Sequence, residues 1–285
     1  MKYKLALIFL SVLLLSACLM AQEGKIEWKR TAAAPPQNIH LFPSTQAFSL
    51  PTAEMLQRGN LQFEISHRFY PFIKTGYKTF YGLDGPVNMR LALGYAIWDN
   101  FTVTLGRSNF NGNVDLRAKY KFLQVPGAFL PVVSAFRLGG AWNTETGERS
   151  STDKRNFQFY GQLIVNTFYR KTLGLGLVPS YLYNSNIFTP ETEHSFTMGT
   201  YIAGYITHSL GLIFEWNPTI SGYRLKANPV AFGIEINTGG HFFKILLTNS
   251  TLMNPSQYLA GAPDAVKDNS WRLGFNITRL FGFLR

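Results

Sequence analysis

The chain has 285 residues, of which 46% are hydrophobic and 15% aromatic, and its formal net charge at pH 7 is +11. A net positive charge is compatible with nucleic-acid binding. The lysines and arginines are scattered, however, without a basic helix or clustered run, and this argues against a nucleic-acid-binding protein. The one cysteine is Cys18, so residues 22–285 hold no thiol for a disulfide, a redox pair or a cysteine metal site.

The first 21 residues have the layout of a secretory signal peptide, with two lysines, an apolar run at residues 5–15 and small residues after it. Two cleavage sites compete. Residues 15–18 resemble a lipobox, which would leave a lipidated Cys18 as the first residue. Cleavage after Ala21 is the alternative that we favour, because the residues following Cys18 remain apolar, unlike the polar tether expected after a lipid anchor.

Residues 22–59 show no clean periodicity and contain four prolines. We expect an irregular periplasmic lead-in, with a disordered linker favoured over residues 23–38. Residues 40–56 are apolar enough to fold against another part of the chain, as a partial plug.

From residue 61 onward, apolar residues recur at every second position over runs of about ten residues, the period of a strand with two different faces. No stretch there approaches the 18 consecutive apolar residues that a membrane helix needs. The alternation predicts twelve strands, at residues 61–69, 87–97, 101–108, 114–122, 132–142, 157–168, 173–183, 195–206, 210–216, 230–238, 241–249 and 271–281.

The strand at residues 114–122 alternates most cleanly. Its polar face carries four charged side chains, Asp115, Arg117, Lys119 and Lys121. Such a face suits neither a sandwich core nor lipid, whereas a wet lumen accommodates it. We therefore predict that these four side chains face a lumen and that the apolar face of the strand, which includes Leu116, Tyr120 and Phe122, contacts lipid.

Long and short connections alternate along the chain, with two exceptions around residues 114–122. This is the pattern of long extracellular loops and short periplasmic turns. The sequence thus predicts an all-β, antiparallel up-and-down transmembrane β-barrel of about twelve strands over residues 60–285, in a bacterial outer membrane. The aromatic-rich strand at 271–281 is typical of segments bound by the barrel-assembly machinery. That machinery and outer-membrane lipid are the expected partners, and nucleic acid is not.

Several separated motifs resemble a known family. They are residues 50–69 (LPTAEMLQRGNLQFEISHRF), 82–90 (GLDGPVNMR), 115–120 (DLRAKY), 238–243 (TGGHFF) and 274–279 (GFNITR). From about residue 42 to the end, the chain is similar to uncharacterised outer-membrane β-barrel proteins of Bacteroidota-type bacteria. The resemblance implies the fold and the location, and it supplies no activity.

Candidate catalytic groups are few. His67 and Arg68 are adjacent, but His67 falls in the apolar phase of its strand, and Arg68 can pair with Glu64 on the polar face. The neighbours His194 and Ser195, like residues 208–209, point to opposite faces of an extended strand and cannot form a hydrogen-bonded dyad. The histidines are dispersed away from acidic clusters. We expect no catalytic site, no metal site and no cofactor.

The polar phase of the strands defines a candidate lumen. Ten charged residues are predicted to line it: Glu64, Arg68, Arg90, Asp115, Arg117, Lys119, Lys121, Glu215, Glu235 and Arg272. Eight strands enclose only side chains and sixteen enclose an aqueous channel, so twelve lie between these cases. The leading hypothesis is a passive channel or facilitator for small solutes, anionic ones among them. The alternatives are a closed structural or interaction barrel and, least supported, a barrel enzyme that acts on lipid.

Overall fold

The computed structural model describes residues 38–170 and 172–282. The predicted signal peptide and most of the predicted linker therefore lie outside the described residues. Within them the chain forms thirteen strands: β1 (Asn60–Phe69), β2 (Val87–Trp98), β3 (Phe101–Ser108), β4 (Asn113–Val125), β5 (Val132–Asn143), β6 (Phe157–Tyr169), β7 (Leu173–Tyr183), β8 (His194–Tyr205), β9 (Leu210–Trp216), β10 (Thr219–Gly222), β11 (Val230–Asn237), β12 (His241–Thr248) and β13 (Arg272–Gly282).

The strands close into an antiparallel barrel. From β1 to β9 each strand pairs with the next along the chain, β9 then pairs with β11, and β11 continues through β12 and β13. The ring closes where β1 pairs with β13, with Leu61 opposite Phe281. The prediction of a closed antiparallel barrel with twelve strand positions is confirmed, and every predicted strand end lies within three residues of the observed one.

The thirteenth strand does not add a position to the ring. β9 pairs with residues 200–205 of β8, and the short β10 pairs with residues 195–197 of the same strand. Between them lie Asn217 and Pro218. Because proline has no N–H to donate to the ladder, it interrupts the edge there, and β9 and β10 share one strand position.

The two ends of the barrel differ. One end has short connections, including residues 99–100 and 238–240, and it also holds the start of β1 and the end of β13. The other end holds longer loops, of which residues 70–86 and 249–271 are the longest. These loops contain 3-10 turns at Ile73–Gly82, Phe110–Gly112, Lys154–Asn156 and Val266–Asp268, and one short helix, α1 (Pro255–Tyr258). Among the described residues, no helix is long and apolar enough to cross a membrane.

The two faces of the wall have opposite chemistry. Leu105, Leu116 and Leu138 lie on the outward faces of the neighbouring strands β3, β4 and β5, and each is more than half exposed. The inward residues of the same strands are buried and mostly polar. An extended apolar exterior of this kind marks a surface that contacts lipid or another apolar partner.

A β-bulge extends β4 beyond its predicted end. The pairing with β5 shifts between Lys121 and Leu123, so Phe122 and Leu123 are both exposed, at 45% and 43%. A bulge inserts one extra residue and breaks the alternation. The alternating pattern therefore ends at Phe122, whereas hydrogen bonding continues to Val125.

Candidate functional site

Charged side chains line the inside of the wall. All ten side chains of the predicted lumen set are at most 8% exposed: Glu64, Arg68, Arg90, Asp115, Arg117, Lys119, Lys121, Glu215, Glu235 and Arg272. Every second residue of a strand points to the same face. These ten side chains lie on the inner face of their strands. Arg272 lies at the long-loop end, where its Nε donates to Tyr70 O over 2.8 Å and its Nη1 contacts the Asp264 carboxylate.

Four of these residues form an ion-pair network across β1, β2 and β4. Arg90 Nη1 and Arg117 Nη2 lie 2.6 Å and 3.3 Å from the same Glu64 oxygen, Oε2. Arg117 Nη1 also lies 3.5 Å from Asp115 Oδ2. Two cations therefore face two anions, and this part of the wall neutralises itself.

The expected pairing of Arg68 with Glu64 is wrong. Arg68 Nη1 donates to Asn276 Oδ1 at 2.8 Å and to the carbonyl oxygen of His67 at 2.9 Å. Glu64 is engaged by Arg90 instead. Glu64 and Arg68 lie on the same face of β1, but each has a closer partner on a neighbouring strand. These partners are Arg90 on β2 for Glu64 and Asn276 on β13 for Arg68.

Sequence reasoning missed two inward cations, Arg137 and Lys244. Arg137 Nε donates to Gln162 Oε1 at 2.8 Å, and Lys244 Nζ lies 2.8 Å from Glu235 Oε2. Both could have been found from phase. Arg137 lies between the outward Phe136 and Leu138, and Lys244 lies between two outward apolar residues.

Residues 39–56, called the plug, fold inside the barrel. A tight turn forms at its tip, where Ala47 N donates to Leu50 O over 2.8 Å. Glu215 Oε2 accepts from the backbone N–H groups of Phe48, Ser49 and Leu50 at 2.9, 2.9 and 3.0 Å. Successive N–H groups that converge on one carboxylate form an anion-binding nest. The wall thus holds the plug through the backbone of the plug.

Two lysines of the wall bind the carbonyl groups of the plug. Lys119 Nζ donates to Thr52 O at 3.1 Å and to the carbonyl oxygen of Glu54. Lys244 Nζ donates to Ala47 O at 2.6 Å and to the carbonyl oxygen of Gln46. These contacts satisfy backbone groups of the plug that would otherwise be buried without partners.

Apolar packing completes the contact between plug and wall. Phe42 meets the ring of Tyr201 edge-on at 5.6 Å between centroids, and Leu50 and Ile164 are fully buried in the same cluster. A Cβ at Gly176 would lie 2.0 Å from Tyr201 Cζ, so glycine at this position makes room for the ring. Ala53 N also donates to Asn166 Oδ1 at 2.7 Å.

The plug meets solvent at the short-turn end. Glu54 Oε1 accepts from the N–H groups of Leu41 and Phe42, and Glu54 Oε2 lies 3.0 Å from His40 Nδ1. The hydrogen bond to Glu54 raises the pKa of His40 above its usual value, and partial burial opposes that shift.

Residues 249–263, called the inward loop, fill the barrel from the long-loop end. Asn254 Oδ1 accepts from Arg90 Nε at 2.6 Å, and the Asn254 amide donates to Asn113 O at 3.1 Å. Pro255–Tyr258 forms α1, whose N-terminus is capped by Asn254. The Tyr258 hydroxyl oxygen accepts from Arg137 Nη2 at 2.6 Å.

The two inserts leave little free space in the lumen. Two cavities between the plug and the wall measure about 30 Å³ and 10 Å³. A cavity of roughly 10–15 Å³ holds one water molecule, so these spaces are of water size. Within the described residues, the plug and the inward loop therefore occupy the lumen, and these two spaces are too small for a solute.

His194 and Ser195 bind different partners. Ser195 Oγ donates to Tyr223 O at 2.6 Å, while His194 Nδ1 contacts the Tyr181 hydroxyl on the outer face. The ring of His67 packs edge-on against Phe275 at 4.5 Å. Within residues 38–170 and 172–282, no three histidine, cysteine or acidic side chains are grouped to hold a metal ion.

Solved structures with a similar chain path include two porins and an outer membrane channel. A NanC porin matches with a TM-score of 0.47 at 10% identity, over 79% of this chain and 100% of that chain. A KdgM porin in complex with oligogalacturonate matches with 0.45 at 7%, over 78% and 99%. An outer membrane channel from Pseudomonas putida F1 matches with 0.45 at 12%, over 80% and 98%.

No curated protein sequence matches the chain. The family described as "Membrane bound beta barrel domain (DUF5777)" matches residues 42–281. This range includes nearly all of the plug and the whole ring of strands except the last residue of β13. The chain belongs to this family of membrane-bound β-barrel domains.

Proposed function

We propose that the protein is a gated channel for small solutes in the outer membrane of a Bacteroidota-type bacterium, with a preference for anions. The observation that carries this proposal is the charged inner wall. The buried charged side chains of the described strands are eight cations and four anions: Arg68, Arg90, Arg117, Lys119, Lys121, Arg137, Lys244 and Arg272, and Glu64, Asp115, Glu215 and Glu235.

A permanently closed barrel gains little from such a wall. Buried ion pairs often stabilise no better than well-packed apolar side chains, because desolvation offsets their attraction. Ionisable residues at membrane depth typically mark a path for ions or polar solutes. A wall that is wet in one state and covered by the plug in another accounts for both its charge and its closure.

Release of the plug would expose the basic excess. Lys119 would lose the carbonyl oxygens of the plug, and Lys244 would keep only Glu235. Water and mobile anions would take the place of those carbonyl groups. A lumen with more cations than anions concentrates anions and favours their passage.

The proposed channel is gated rather than passive. Both the plug and the inward loop occupy the lumen, so a solute passes only when both have moved. The long-loop end would face the outside of the cell, and the outward apolar band would contact outer-membrane lipid. The barrel-assembly machinery would insert the chain through β13.

A closed interaction barrel is the second candidate. The extent of filling favours it, since the plug and the inward loop share one buried apolar cluster that includes Phe48 and Leu259. Such a barrel would act through its loops or its periplasmic segment and would never conduct.

Planar-bilayer recordings on four forms of the protein separate the two candidates. One variant replaces residues 41–53 by a Gly-Ser linker of equal length, a second replaces residues 251–260 in the same way, and a third combines both changes. Heat-modifiable mobility on gels would first establish that each form is folded. For a gated channel, the wild type gives brief openings and the double variant a persistent, anion-selective current.

A silent wild type beside a conducting double variant would favour the closed interaction barrel. A folded double variant without current would exclude the lumen as a path altogether. Either single variant should conduct less than the double variant, because the other insert still fills the barrel.

A further inference from the structure

A further pocket of about 250 Å³ lies at the long-loop end, between the inward loop and the other long loops. Side chains from five loops contribute to it, among them Tyr70, Phe110, Ile187, Leu225 and Leu252. Ile187 and Leu252 are buried, whereas Phe188 at its edge is 67% exposed. This cavity, called the mouth pocket, therefore reaches from the surface into the packed loops.

The size of the mouth pocket restricts the ligand. An engineered apolar cavity of roughly 150 Å³ holds one benzene molecule. The mouth pocket is larger than that by more than half, which corresponds to about two fused rings. Small-molecule sites typically combine such apolar walls with a few polar groups that orient the ligand.

The charge of the lining restricts it further. Arg272 is the one side chain of the lining that carries a full charge at neutral pH. Its guanidinium contacts the Asp264 carboxylate, donates to the carbonyl oxygen of Tyr70 and lies over the ring of Phe72 at 3.9 Å from the centroid. Because this cation is already compensated, the pocket offers no free charge to a ligand.

One polar group of the lining stands out. Ser185 is 4% exposed, and its hydroxyl has no hydrogen-bond partner among the described residues. The neighbouring amides are occupied: Gln158 Nε2 donates to Asn184 O, and Gln257 Nε2 donates to Phe110 O, both at 2.9 Å. A buried polar group without a partner costs about 1–3 kcal/mol, which a ligand that pairs with it would recover.

We propose that the mouth pocket binds a neutral, mostly apolar molecule of about two fused rings with one hydrogen-bonding group, which pairs with Ser185. The proposal does not rest on the channel function, because the pocket is complete in the closed barrel, where Leu252 and Ala260 of the inward loop form part of its wall. Shape and apolar contact supply the affinity, and the hydroxyl of Ser185 orients the ligand.

Fluorine NMR with 5-fluoroindole tests this proposal on the full-length protein in nanodiscs. The probe is neutral, has two fused rings and carries one N–H group. We expect saturable changes in its signal that empty nanodiscs do not produce. Ser185→Ala should weaken binding about tenfold, the equivalent of one hydrogen bond. Leu252→Trp should abolish binding by filling the pocket.

Controls separate the site from general partition into lipid. Ala260→Leu offers a second way to fill the pocket if Leu252→Trp does not fold. Phe129→Ala, at an exposed side chain on the short-turn side, should bind as the wild type does. Binding that survives both filling variants, or a signal equal to that of empty nanodiscs, would overturn the site. Tighter binding of 5-fluoroindole-3-carboxylate would overturn the neutral ligand class.

Discussion

The plug and the inward loop fill the same barrel from opposite ends, but the wall holds them differently. The plug offers mainly its backbone: three N–H groups meet Glu215, and carbonyl groups meet Lys119 and Lys244. The inward loop offers mainly side chains, above all Asn254 and Tyr258, to the arginines of the wall. The ionised groups therefore belong to the wall in both cases.

Because of this difference, different substitutions should loosen the plug and the inward loop. A backbone group survives nearly any substitution of its own residue, so the attachment of the plug depends on charged residues of the wall. An amide or a phenol disappears with its side chain, so the attachment of the loop depends on the sequence of the loop. Wall substitutions should therefore loosen the plug, and loop substitutions should loosen the loop.

The largest effect is expected for Glu215→Ala. The substitution leaves three N–H groups, two of them buried, without an acceptor. This costs about 3–9 kcal/mol when each unpaired donor costs about 1–3 kcal/mol. Hydrogen exchange followed by mass spectrometry should show faster exchange over residues 45–55 and no change over residues 250–260.

Ser49→Ala is the matched control, because it keeps the N–H group that Glu215 binds. Exchange in the plug should remain as in the wild type. If Ser49→Ala loosened the plug as much as Glu215→Ala did, the side chains of the plug rather than its backbone would be the attachment.

The two faces of β4 have different surroundings. Leu116 is 57% exposed on the outward face, and Lys119 is buried on the inward face. Leu116→Arg should impair assembly by about 2–4 kcal/mol, the cost of an arginine on the lipid face at the membrane midplane. Lys119→Gln should assemble normally and loosen the plug alone. Equal yields of folded barrel for both variants would contradict this assignment of the faces.

Asn254→Ala should loosen the inward loop by about 1–3 kcal/mol, because the acceptor for Arg90 Nε and the donor to Asn113 are both lost. Exchange over residues 250–260 should accelerate while the plug stays protected. Faster exchange in both inserts would indicate that they move as one body, which would contradict their independent attachment to the wall.

The smallest effect concerns His40 at the exposed end of the plug. Because its pKa in the fold is raised by Glu54, the charged pair stabilises the fold fully below the ordinary pKa of 6.5. That contribution is lost as the pH rises through the raised pKa. Protection factors of the Leu41 and Phe42 amides, corrected for intrinsic exchange, should fall between pH 5 and pH 8. In His40→Gln this pH dependence should disappear.

Strand periodicity made the ring predictable, because one face meets lipid and the other a polar interior. It did not predict β10, which is four residues long and lacks an alternating pattern. Likewise, it could not show that Arg68 pairs across the sheet with Asn276, since cross-strand partners depend on register. The alternation of apolar and polar residues along β5 and β12 would have been enough to predict that Arg137 and Lys244 point inward.

The filling of the lumen was harder to predict from the sequence. Residues 40–56 are apolar enough to fold against another part of the chain, yet many of their polar contacts use backbone N–H and C=O groups, which the side-chain sequence does not reveal. The inward loop contains no charged residue, so nothing in its composition separates it from an ordinary exposed loop.

Current through a barrel with a locked plug shows whether movement of the plug opens the lumen. Ala53→Cys and Asn166→Cys, in a Cys18→Ser background, introduce thiols at two residues in contact across the plug and the wall, where Ala53 N donates to Asn166 Oδ1 at 2.7 Å. With the disulfide verified by mass spectrometry, no openings should occur in planar bilayers. Reductant should permit openings at least as frequent as those of the wild type, because the reduced variant lacks the Asn166 amide that accepts from Ala53 N. Openings that are equally frequent before and after reduction would contradict the claim that the plug gates the barrel.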